Sequence, residues 1–118
     1  PERWVAITDG MQAMGLPQGR YLYNGLAYEC REGAARYLDG TLIGTCLGLN
    51  QLVKRATENS GCSLAEAVRA ASLNPARVLG LQERRGSLEK GKDADLALLD
   101  PDLSVWKTMK RGAWIYQQ

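Results

Sequence analysis

The sequence predicts a mixed α/β fold, and three observations carry that prediction. A short apolar run, Trp4-Val5-Ala6-Ile7-Thr8, stops at Asp9-Gly10, the pattern of a buried strand feeding a turn. Between Thr45 and Gly80, apolar residues recur at helical spacing and are punctuated by helix caps. After Gly86 the period returns to that of strands. The expected order is therefore one strand, a meander, three helices and further strands. At 118 residues, 45% hydrophobic and 24% charged, the chain is large and apolar enough for a core and too apolar for a disordered segment.

Each element has a local reason. Residues 10–20 hold three Gly and one Pro, the composition of a loop. Tyr21–Tyr23, Leu26–Cys30 and Ala34–Leu38 are separated by Asn24-Gly25 and Glu32-Gly33. Asn-Gly suits a two-residue hairpin because both positions tolerate positive φ, so these segments predict a small antiparallel meander. Thr45 can cap a helix running to about Asn59, with Leu49, Leu52, Val53 and Ala56 on one face and Gly61 ending it. Ser63-Leu64-Ala65-Glu66 has the spacing of a capping box. The helix it opens is expected to bury Leu64, Ala67, Val68 and Ala71. Asn74-Pro75 starts a third helix, Asn as cap and Pro at the first position, stopped by Gly80. Ala94–Leu99, Val105–Met109 and Trp114–Tyr116 are predicted strands joined by Asp100-Pro101-Asp102 and Arg111-Gly112.

Composition narrows the chemistry. There is no histidine, so the chain by itself holds no Ser-His-Asp triad, Cys-His pair or His-based metal site. Fifteen basic against thirteen acidic residues are interspersed, which is no nucleic-acid footprint. No apolar run approaches the ~20 residues that span a bilayer. No signal peptide opens the chain, and it begins at Pro1 rather than Met, as a fragment would. Cys30, Cys46 and Cys62 are odd in number and form no CxxC, so reduced thiols in a cytoplasmic protein are expected.

Gly86-Ser87-Leu88-Glu89-Lys90-Gly91-Lys92-Asp93 nearly spells a phosphate-binding loop. Asp93 stands where a hydroxyl should meet magnesium, and a strand rather than a helix is expected to follow, so a Gly-Lys turn is the better reading. Glu66, Arg69 and Arg77 are simplest as solvated or ion-paired helix positions. The scattered Trp and Tyr suit core or interface. Cys46, near a helix start, is more simply an inert thiol than a reactive one.

Two segments could carry chemistry. Asp9 ends the predicted strand; at the mouth of a parallel barrel such an Asp could ligate a metal or accept a proton from metal-bound water. Asp39-Gly40-Thr41-Leu42-Ile43-Gly44-Thr45 is a Gly-rich segment ahead of a helix, whose free N–H groups could meet an oxyanion or polar substrate. Without further context, a plain loop with an N-cap is the preferred reading.

Several segments together resemble a known family. Asn74-Pro75-Ala76-Arg77-Val78-Leu79-Gly80-Leu81 and Gly86–Leu96 resemble the closing signature of the metal-dependent amidohydrolase superfamily. Ile7-Thr8-Asp9-Gly10, Leu16-Pro17, and Asp39–Thr45 with the helix from Leu47 resemble the C-terminal third of the N-acetylglucosamine-6-phosphate deacetylase family. The resemblance covers essentially the whole chain in order. It departs at Gly10, often Ala in that family, and at Thr45, often Ser.

The resemblance implies a (β/α)₈ barrel whose last strand is Arg3–Thr8, with residues 1–87 as its C-terminal part including the meander. Residues 88–118 would be strands of a small β-sandwich domain. It implies hydrolysis of N-acetylglucosamine 6-phosphate to glucosamine 6-phosphate and acetate. Asp9 matches the catalytic Asp, which takes a proton from metal-activated water and passes it to the leaving amine. Leu42, Ile43, Gly44 and Thr45 match a loop lining the sugar-phosphate pocket. The divalent metal, zinc or similar, would have its Glu and His ligands outside these residues, with Asp9 a possible further ligand. The chain alone is then expected to hold no metal and show no activity. An unpartnered barrel strand predicts self-association as a homo-oligomer. A dihydroorotase- or deaminase-like amidohydrolase, or a standalone module binding a sugar phosphate or a protein, are the alternative expectations.

Overall fold

The computed structural model describes residues 2–118. It contains a four-stranded and a three-stranded sheet, both antiparallel with strands in chain order, and three helices that lie between the two sheets in sequence. The chain divides into two compact units, one of Ile7–Leu52 and one of the chain up to Ala6 together with Val53–Gln118.

In the Ile7–Leu52 unit, β1 (Gly19–Tyr23), β2 (Leu26–Arg31) and β3 (Ala34–Tyr37) form the expected meander. Asn24-Gly25 has φ of 51° and 77°, and Glu32-Gly33 has 52° and 83°, the paired positive values that match the twist of a two-residue hairpin. Side chains alternate as the pleat requires. Tyr28 and Cys30 of β2 and Ala35 of β3 are buried with Ala13, and Met11, Tyr21, Tyr37, Ile43 and Cys46 pack against them.

The segment expected to be a Gly-rich loop instead supplies a fourth strand, β4 (Leu42–Thr45). The reason is local. The Asp39 carboxylate accepts the Thr41 N–H at 2.9 Å, closing an Asx turn that reverses the chain. This bond also holds the Asp39 carboxyl below the usual carboxylate range. The chain is thereby delivered to the open edge of β3, where Ala34 faces Thr45, Ala35 faces Gly44 and Arg36 faces Leu42 across a bulge.

The meander also overturns the expectation of reduced thiols. Cys30 and Cys46 are joined as a disulfide, their Cα atoms 6.3 Å apart, and Cys62 is free. Chain spacing alone does not show this pairing; two reversals, at Glu32-Gly33 and at the Asp39 turn, carry residue 46 back toward β2.

The predicted first strand is not a strand. Trp4–Asp9 belongs to no strand and has no ladder partner among the described residues. Ile7 is 72% exposed, against its expected burial. Gly10 makes one parallel bridge to Thr45, and the Ala6 N–H donates to the Ala70 carbonyl at 2.9 Å. An apolar run becomes a buried strand only when neighbours pair with it.

In the other unit, α2 (Leu64–Ala71) carries the predicted capping box. The Ser63 N–H donates to Glu66 Oε2 at 2.9 Å, and the Glu66 N–H donates to Ser63 Oγ at 3.3 Å. Its buried residues are Ala67 and Ala70, while Leu64 and Val68 lie exposed. The buried stripe is thus the small-residue one, and at Ala70 the Trp4–Asp9 segment comes near enough to donate Ala6 N–H. α1 (Leu49–Ser60) starts four residues after Thr45, which belongs to β4. Gln51 does the capping instead, its side chain accepting the Gly48 N–H at 2.9 Å.

α3 (Leu73–Val78) differs from expectation at its start as well. Asn74 lies inside the helix, 2% exposed, and its Nδ2 donates to the Trp4 carbonyl at 2.6 Å. Ser72 precedes the helix without a side-chain cap bond. β5 (Leu96–Leu99), β6 (Val105–Lys110) and β7 (Ala113–Gln117) form the second sheet. Before it, Asp93 pairs with Arg84 and Arg85, and Asp95 with Arg85 and Lys110. Lys92 donates to Ser87 and Glu89. The near-phosphate loop is thus closed on its own charges and leads into a strand.

Candidate functional site

Thr8-Asp9-Gly10 and β4 are the two candidate segments, and the structure stitches them together through main-chain atoms. The Thr45 N–H donates to the Asp9 carbonyl at 2.9 Å, and the Met11 N–H donates to the Thr45 carbonyl at 2.8 Å. Together these bonds form a parallel bridge between Gly10 and Thr45. Thr45 Oγ1 adds a third, donating to the Thr8 carbonyl at 2.6 Å. Asp9 therefore sits at φ 46° between two anchored peptides.

Gly44 explains how the two segments approach so closely. It is buried, with φ 145°. A Cβ there would lie 2.5 Å from the Asp9 carbonyl oxygen and 3.1 Å from Met11 Cγ. A side chain at residue 44 would push Asp9 away. Gly10 is more permissive: a Cβ would meet the flexible end of Met14 at 3.1 Å, so an Ala there needs only a small rotation.

The predicted site residues do not all converge. Asp9, Gly44 and Thr45 are brought into direct contact. Ile43 is committed to the core beside Tyr28 and Cys30. Leu42 points to the other face of the sheet, 58% exposed and opposite Arg36. The Asp9 carboxylate is exposed and has no hydrogen bond or ion pair among the described residues. Elsewhere, Glu66 is occupied by its cap, which holds its carboxyl below the usual range through the Ser63 N–H, and Arg69 lies 3.7 Å from Glu2. Two features escaped the sequence reading: Gly44 as a spacer for Asp9, and the Cys30–Cys46 pairing. The Leu-x-Gly-Thr string signals the first only once β4 is recognised as a strand.

Among the described residues no three His, Cys, Asp or Glu side chains gather as a metal ion would require. The candidate site is a carboxylate carried on a main-chain mount.

A family model for the amidohydrolase family matches residues 32–117. The chain belongs to the amidohydrolase family. Among its relatives in that family, the N-acetylgalactosamine-6-phosphate deacetylase of Escherichia coli O157:H7 is 41% identical over 94% of this chain and 29% of its own length. The N-acetylglucosamine-6-phosphate deacetylase of Danio rerio is 38% identical over 100% of this chain and 30% of its own. Among solved structures, N-acetylglucosamine-6-phosphate deacetylase from Thermotoga maritima superposes with a TM-score of 0.86 at 37% identity, over 99% of this chain and 32% of that one. The amidohydrolase chain described here thus spans under a third of each of these three.

Proposed function

We propose that this chain is the C-terminal part of a metal-dependent amidohydrolase that deacetylates N-acetylglucosamine 6-phosphate, giving glucosamine 6-phosphate and acetate. The observation that carries the proposal is the main-chain mount of Asp9 on Thr45, with Gly44 as spacer, in a chain whose relatives are named for this chemistry. Amide hydrolysis breaks the C–N bond, adds hydroxide to the acyl carbon and must deliver a proton to the departing nitrogen. An unpaired, exposed carboxylate held in place can carry that proton. The metal would polarise the amide and acidify water. It does not fit the described residues of this chain, so its ligands belong to the portion of the relatives that the chain does not cover.

Within the same reading, Gly44 and Thr45 keep Asp9 fixed. Residues 1–87 are assigned to the barrel and 88–118 to the sandwich. The parent would assemble as a homo-oligomer. A phosphorylated sugar, which does not cross membranes unaided, places the work in the cytoplasm. No helix among the described residues is long and apolar enough to cross a membrane.

A second reading takes N-acetylgalactosamine 6-phosphate, the epimer at one sugar hydroxyl, and is favoured by the 41% identity to the enzyme named for it. The test is acetate release by the longer protein from each sugar phosphate, with and without Asp9→Asn. We expect kcat to fall by ~10²–10⁴ with KM little changed, as for loss of a positioned proton carrier. A kcat within a few-fold of the parent rules Asp9 out of that role. The ratio of kcat/KM for the two epimers decides between the substrates.

A further inference from the structure

We propose that Cys30 and Cys46 form a reversible thiol–disulfide pair that sets how firmly Thr45 holds Asp9. The regulatory meaning rests on the proposed role of Asp9; the linkage itself rests on geometry. Cys46 directly follows Thr45, whose N–H, carbonyl and hydroxyl make the three bonds to Thr8–Met11. Cys30 lies near the end of β2 and Cys46 directly follows β4; with their Cα atoms 6.3 Å apart, the sulfur bridge ties the two strands past the start of β3.

Without that bridge, the end of β4 is held by a short ladder. The β3–β4 pairing spans Leu42–Thr45 and is interrupted by a bulge between Ala35 and Arg36. Beyond it, the Cys46 N–H donates to the Gly33 carbonyl at 2.9 Å. A covalent tie to the buried β2 adds far more resistance to local opening than one further hydrogen bond. The state of the sulfurs therefore acts at the base of the Asp9 mount.

The two positions also differ as a reactive pair should. Cys30 is 3% exposed, whereas Cys46 is only half-buried. Cys46 is the sulfur that a small disulfide, such as oxidised glutathione, can reach. Its thiolate attacks one glutathione sulfur, the glutathione S–S bond breaks, and one glutathione thiolate leaves and is protonated. The Cys30 thiol then loses its proton and attacks the Cys46 sulfur, and the second glutathione departs. Two protein thiols are oxidised and one glutathione disulfide is reduced to two thiols. Reduced glutathione reverses both steps.

The test is alkylation and peptide mapping of the purified full chain across glutathione buffers, followed by amide exchange on the oxidised and reduced forms. We expect Cys30 and Cys46 to lose and regain alkylation together as the buffer changes, while Cys62 carries either the alkylating label or one glutathione and never enters a protein bridge. We expect the Thr45 and Met11 amides to exchange roughly tenfold more slowly in the cross-linked form. Cys46→Ser should abolish that difference and Cys62→Ser preserve it. A bridge that persists in excess reduced glutathione, or never forms in oxidised glutathione, overturns the proposal. So does equal amide exchange in the two states. The wild-type mapping needs no variant to fold. Because neither readout is acetate release, failure of the deacetylase reading would register separately, in the assay on the longer protein.

Discussion

Gly44→Ala tests the Asp9 mount directly. The new Cβ would stand 2.5 Å from the Asp9 carbonyl oxygen, whereas a comfortable carbon–oxygen approach is about 3.3–3.6 Å. Main-chain oxygen cannot rotate aside as a side chain can, so the segments must part by most of an ångström. Parting strains or breaks the Thr45–Asp9 and Met11–Thr45 bonds, together about 2 kcal/mol at the usual net value per bond. The φ of 145° adds about 1–3 kcal/mol for a residue with a side chain. A loss of ~3–5 kcal/mol is therefore expected, a large share of the ~5–15 kcal/mol that a domain has. Urea unfolding of the variant, compared at equal slope, reads it as a lower midpoint. Gly19→Ala is the control, because nothing lies within 4 Å of its Cβ position and its φ is not positive. If Gly44→Ala costs no more than Gly19→Ala, Gly44 is not the spacer described.

Further expectations follow from the other unit. Ser63→Ala removes the capping box of α2 and should cost about 1 kcal/mol in a thermal melt; an unchanged melt would mean the cap is dispensable. Asn74→Ala deprives the Trp4 carbonyl of a donor in a buried position. It should cost ~1–3 kcal/mol in chemical denaturation, and a change within the error of the control variant would refute that tie. Asp93 and Asp95 are held below the usual carboxylate range, Asp93 chiefly by its bond from Arg85 and Asp95 chiefly by its bond from Lys110. Since their folded pKa values lie below the unfolded ones, the stability they supply is complete above the ordinary Asp range, near ~4. It is lost as pH falls through the lowered folded values. Melting temperature should hold from neutral pH to about 5 and then drop, and Asp93→Asn with Asp95→Asn should flatten that drop. An identical pH profile in the double variant would show that the pairs do not couple to folding.

Local signals were the legible ones. Asn24-Gly25 and Arg111-Gly112 announced their hairpins because two consecutive positive φ values leave few residue choices. Ser63-Leu64-Ala65-Glu66 announced its cap because both bonds lie within one turn of helix. What failed depended on partners distant in sequence. Leu42–Thr45 looked like a loop because its pairing partner, β3, is reached only through the Asp39 turn. Trp4–Thr8 looked like a buried strand because its apolar pattern is real, while the neighbours that would bury it are not among the described residues. Asn74 looked like a cap because it precedes Pro75, whereas its side chain is drawn inward by a carbonyl seventy positions earlier. The resemblance singled out Asp9 and Thr45, but the way one supports the other is visible only in three dimensions.

That support has a consequence for how such a site can change. The Asp9–Thr45 tie is made largely by peptide groups, which every residue except proline possesses. The outward-facing residue 42 can be exchanged freely without disturbing it, while residue 44 admits almost no alternative. Selection or design can thus change the rim of β4 and leave the acid where it stands. The position of residue 9 is thereby set by backbone and by one obligatory glycine, and not by the identity of the side chains around it.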